Sequence, residues 1–131
     1  MKNLAIAIAT GLFAAAIPIA AHHSFAAEYD ANAKLEFDGV VTKVEWTNPH
    51  AHYYLDVTAP DGKVANWNLE LASPNMLARN GWTRKTLYEG LKVHVTASRA
   101  KDGSNTGATS TIRLPDGKVL TMTGVQQGKD K

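Results

Sequence analysis

From His50 to Ala59 the chain alternates, with Ala51, Tyr53, Leu55 and Val57 on one parity and His50, His52, Tyr54 and Asp56 on the other. A period of two is the mark of a strand with one face buried and one face wet. Val64–Ala72 repeats the pattern, with Ala65, Trp67, Leu69 and Leu71 inward and Asn66, Asn68 and Glu70 outward. Pro60-Asp61-Gly62-Lys63 lies between the two runs and supplies a turn, so they form a β-hairpin. Any fold for this chain must place that hairpin's apolar face on a core and leave a polar face carrying two histidines.

The flanking segments extend the sheet. Leu35 and Phe37 share one parity and Val44 and Trp46 the other. One extra residue reverses the faces of a strand, so a bulge near Gly39 is expected. Thr47-Asn48-Pro49 interrupts the pattern as a turn. Ser73-Pro74 opens a short helix, with Ser as N-cap, Pro at the first helical position, Met76 and Leu77 on the buried side and Asn80-Gly81 as the stop. Thr83–Glu89 allows another helical turn. Leu91–Ala100 reads as a fourth strand with Leu91, Val93, Val95 and Ala97 inward. Lys101–Gly107 is expected as a polar mobile loop, and Ser110–Leu114 with Lys118–Val125 as a last hairpin. Three strands, a helix, then further strands is the order of a small OB-like barrel of five to six strands with one short helix between strands 3 and 4. SH3-like barrels and open meanders have similar strand counts, and the position of the helix favours the OB-like form.

Residues 1–21 have a different character. Lys2 precedes the small apolar run Leu4–Ala16, then Ile17-Pro18-Ile19-Ala20-Ala21. This is the pattern of a cleaved export signal, and the apolar run is shorter than the roughly 20 residues of a membrane span. Cleavage after Ala21 leaves 110 residues beginning His22-His23-Ser24, located in the periplasm or secreted, with no stable membrane anchor. The plan is a signal over 1–21, an arm over 22–33, the barrel over 34–126 and a solvated tail over 127–131. The absence of Cys removes disulfides, thiolate metal sites and thiol nucleophiles. A net charge of +2 with interspersed signs gives no support for nucleic acid as a partner.

Several segments together resemble a known family. They are His22-His23-Ser24-Phe25, Gly39-Val40-Val41, Trp46-Thr47-Asn48-Pro49-His50-Ala51-His52, Trp67-Asn68-Leu69-Glu70, Ser73-Pro74-Asn75, Gly81-Trp82 and Lys101-Asp102-Gly103-Ser104. They are similar to a family of short exported proteobacterial proteins of unknown function. The resemblance implies an exported single-domain β-barrel and no activity, substrate or catalytic residue.

Function therefore rests on the histidines. His50 and His52 project from one strand face, with Cα atoms roughly 6.5–7 Å apart. Once His22 is the first residue, its amino nitrogen and its ring form a two-point chelate that no internal His provides. Exported copper proteins with a terminal His chelate in this way, an arrangement called a histidine brace, and the analogy here rests on the end position alone. Nitrogen donors without thiolate suit Cu(II) first, with zinc or nickel as alternatives. The expected metal ligands are His22, His23, His50 and His52, with Glu70 and Tyr54 near enough to support them. Such binding requires amine and imidazole to be deprotonated and is therefore pH-sensitive. The competing reading is a metal-free OB-like module whose β2–β3 face takes a small ligand or a periplasmic protein. Trp46, Trp67 and Trp82 read as packing, His94 as an isolated solvated residue, and Glu28, Asp30, Glu36 and Asp38 as a solvated acidic face. Met76 and Met122 do not make a methionine copper box. No Gly-x-Ser-x-Gly elbow or His-Glu-x-x-His helix occurs, so hydrolase chemistry has no support, and redox catalysis at copper ranks behind metal handling.

Overall fold

The computed structural model describes residues 25–126. A four-residue helix α1 (Phe25–Glu28) leads into the strands β1 (Tyr29–Glu45), β2 (His52–Thr58) and β3 (Val64–Glu70). Helix α2 (Pro74–Arg79) precedes β4 (Lys92–Ala100), β5 (Thr106–Arg113), β6 (Val119–Thr121) and β7 (Gly124–Gln126). β1 pairs antiparallel with both β2 and β4, β2 with β3, and β4 with β5. A parallel pairing of β3 with β5, Asn68 to Thr106 through Glu70 to Ala108, joins the two ends of that set. The circuit β1-β2-β3-β5-β4 is the strand order of an OB-like barrel, with α2 in the connection between β3 and β4 and the β6–β7 hairpin appended to β5. Among the described residues no helix is long and apolar enough to cross a membrane.

Alternation fills the interior. Val41, Ala51, Tyr53, Leu55, Leu69, Val95 and Ile112 have no exposed surface. The β1–β2 register slips between Val41 and Lys43, two residues after the expected bulge, and this carries Val44 and Trp46 onto the core face from the opposite parity. Burying the Tyr53 hydroxyl requires a partner, and Thr109 of β5 supplies one across the barrel at 3.0 Å. Ser73 caps α2 by accepting from the Met76 N–H, with Pro74 behind it. Trp82 is buried below the helix, and its Nε1–H donates to the Thr121 carbonyl at 3.0 Å.

The structure departs from the sequence reading in several places. Residues 29–33, expected in the arm, belong to β1: Tyr29 pairs with Ala100 and Asp30 with Arg99, and the register then slips before Lys34 meets Ser98. Ala31–Ala33 fill that slip, so the segment lacks the alternation by which strands are recognised. Thr106 and Gly107, expected in the mobile loop, start β5. A Cβ on Gly107 would come within 3.2 Å of Leu35, Leu69 and the Ser98 carbonyl, so Gly eases the close approach of β3, β4 and β5 there. Thr83–Glu89 is a run of turns without a helix. Met76 is exposed and Leu77 alone anchors α2, because six residues present little more than one turn to the core.

Candidate functional site

The outer face of β2 and β3 carries the polar residues that the alternation placed there. Register sets His52 opposite Glu70, Tyr54 opposite Asn68 and Asp56 opposite Asn66. His50 lies just before β2, after a cis Asn48–Pro49 peptide, and is half exposed. Its Nδ1 is 2.9 Å from Glu70 Oε1. The His52 Nδ1–H donates to Asn68 Oδ1 at 2.9 Å. Both rings therefore have Nδ1 engaged by an oxygen acceptor of β3, and neither Nε2 has a protein partner among the described residues. Metal-binding histidines are oriented in this way, one ring nitrogen held by a carboxylate or carbonyl and the other free to coordinate.

Glu70 has a second partner that sequence reasoning missed. The buried Tyr29 donates its hydroxyl to Glu70 Oε2. Burial first, then this bond and the Glu70 charge, pushes the Tyr29 phenol well above the ordinary tyrosine range. Tyr29 also packs on Phe25, ring centroids 5.5 Å apart. Two aromatics four residues apart, Phe25 and Tyr29, in a segment without strand alternation were the signal in the sequence. Tyr54 behaves differently from the expectation. Its hydroxyl turns toward Glu45 at 3.4 Å, and the Lys43 ammonium lies 5.3 Å from its ring, so it does not support the histidine pair. Lys43 in turn hydrogen-bonds Glu45 at 2.6 Å and holds that carboxyl below the usual range.

His22 and His23 lie outside the described residues. Among the described residues no group of three or more His, Asp and Glu is arranged to hold a metal ion. His94 is not the isolated residue expected. Its Nδ1 is 2.9 Å from Asp38 and its Nε2 3.0 Å from Glu36, so part of the acidic face is paired across β1 and β4. The tryptophans pack as read: Trp67 lies against Phe37, centroids 5.1 Å apart, under the Arg99 guanidinium, and Trp46 borders the core.

A family model described as a family of unknown function, DUF6152, matches residues 9–110. The chain belongs to DUF6152. No curated protein compared with it matches. Among solved structures it is similar to the mitochondrial single-stranded DNA binding protein Rim1 from S. cerevisiae, with 15% identity over 66% of this chain and 95% of that one, at a TM-score of 0.48. So slight a likeness carries nothing about ligands. This DUF6152 chain is assigned its OB-like architecture by its own strand pairings.

Proposed function

We propose that this DUF6152 protein is exported to the periplasm or beyond and binds a metal ion there, copper in the first place, as a handling or delivery protein. The ligands are the Nε2 atoms of His50 and His52 together with the amino nitrogen and ring of His22, while His23 is a further donor. The observation that carries this reading is the shared orientation of the two strand histidines, each held through Nδ1 by β3 with Nε2 free. Glu70 serves as the orienting carboxylate of His50, the role expected of it from outside the ligand set.

The path of the chain supports the same reading. Tyr29, anchored on Glu70, lies only seven residues after His22. Phe25–Glu28 form α1 and rise about 1.5 Å per residue, while the remaining steps extend at up to about 3.3 Å each, so the reach is at most roughly 18 Å, enough for the first residue to turn back toward His50, which shares Glu70 with Tyr29. Zinc and nickel suit the same nitrogen donors less well by the general affinity order.

A second reading is a metal-free module that binds a small ligand or protein on the β2–β3 face, where His50, His52 and Glu70 each already have a protein partner. Elemental analysis of protein purified from the periplasm, with its first residue determined, separates the two. About one copper per chain starting at His22, lost when both His50 and His52 are changed to Ala, supports metal handling. A chain starting at His22 that carries no metal from copper-replete cells favours the second.

A further inference from the structure

We propose that a cleft near the far end of β2 from the histidine face is a binding site for a small organic carboxylate with an apolar body. The cleft has a volume of about 530 Å³, within the range of small-molecule sites, and opens to solvent. Its walls include Val40, Val93, Leu114 and Pro115, so most of the surface offered to a ligand is apolar. It shares no lining residue with the His50–Glu70 cluster: Asp56 and Thr58 are its contacts with β2, and Asp56 lies four residues along from His52, about 13 Å on a strand.

The charges at its rim are unequally committed. Asp38 accepts from His94 at 2.9 Å, and Asp56 accepts from the Asn66 amide at 2.7 Å. Lys92 and Arg113 have neither an ion pair nor a side-chain hydrogen bond among the described residues. Register brings these two cations together. Arg113 of β5 stands opposite His94 of β4, and Lys92 is two residues before His94, on the same face and diagonal to Arg113. Diagonal neighbours in a sheet lie about 7–8 Å apart, close enough for long side chains to reach one anion. The guanidinium offers a carboxylate two parallel N–H donors, and the ammonium adds a point charge. Asp38 and Asp56 keep their charge but have oxygens engaged by His94 and Asn66, while the donors of Lys92 and Arg113 are uncommitted among the described residues, so these two cations supply the contact for an anion and the walls select an apolar tail.

The test is a titration of the ¹⁵N-labelled protein with hexanoate, followed by amide shifts. Saturable shifts at Val40, Val93, His94 and Leu114 are expected, with the β2–β3 histidine face unmoved. Hexylammonium, with the same tail and opposite charge, and inorganic phosphate, with charge and no tail, should each bind at least tenfold more weakly. The double variant Lys92→Gln, Arg113→Gln should keep a dispersed spectrum and lose hexanoate at least tenfold. The proposal is overturned by unsaturable hexanoate shifts, by equal binding of hexylammonium or phosphate, or by undiminished binding in the folded double variant.

Discussion

Replacing Tyr53 by Phe removes one hydroxyl from a residue with no exposed surface, and the cost can be worked out from its single partner. That hydroxyl and Thr109 Oγ1 share a 3.0 Å hydrogen bond between β2 and β5, and β5 is also the strand that pairs in parallel with β3, the neighbour of β2. The Phe variant leaves the Thr109 hydroxyl buried without a partner, a loss of about 1–3 kcal/mol. Thr109→Val leaves the Tyr53 hydroxyl in the same condition, at a similar loss. The double variant removes both polar groups and should be less destabilised than the two single losses added together, with a coupling of about 1 kcal/mol. For a domain of this size 1 kcal/mol shifts Tm by roughly 4–8 °C. Circular dichroism melts and urea titrations of the four proteins give the cycle. If the two single losses simply add, the hydrogen bond across the interior does not exist as described, and the inference about how β5 is seated fails with it.

Alkaline stability depends on the same residue and on Tyr29. Burial pushes both phenols up, so the folded state retains protons that the unfolded chain releases from about pH 10. Their contribution is complete below that pH and is lost as pH rises through the folded values; melts above about pH 10 should show falling Tm, less steeply in Tyr53→Phe. Gly39→Ala should cost about 2 kcal/mol or more in urea unfolding, because the added carbon falls 2.6 Å from Leu55 Cγ and 2.7 Å from the Asp56 carbonyl oxygen. An unchanged midpoint would mean that β1 does not approach β2 so closely. Tyr29→Phe takes a donor from Glu70, and Cu(II) affinity measured against a competing chelator should fall about tenfold with the fold intact.

Much of the barrel is legible in the residues alone, because β2 and β3 obey a period of two that burial enforces. The Ser73-Pro74 start of α2 is legible for the same local reason: capping is chemistry between residues three apart. What escapes depends on distant pairing. Tyr29 reaches Glu70 across 41 residues, and His94 meets Asp38 across 56, through a register that only the assembled sheet defines. The site divides in the same way. Alternation places His50, His52 and Glu70 on one face, but which ring nitrogen each histidine leaves free is set by Glu70 and Asn68 on the neighbouring strand. Tyr54 shares that parity and yet turns to Glu45, because Lys43 and Glu45 of β1 provide a charged surface beside it that spacing alone does not reveal.

Metal binding of the proposed kind depends on one backbone nitrogen, the His22 amine. Cu(II) is titrated into a chain beginning at His22 and into the same chain with one additional residue before it, each against a competing chelator at fixed pH. At least tenfold tighter binding is expected of the chain whose His22 amine is free, since the extension turns that amine into an amide and opens the chelate ring. Equal affinity for the two chains would contradict it and leave His50 and His52 without the donor that completes their site.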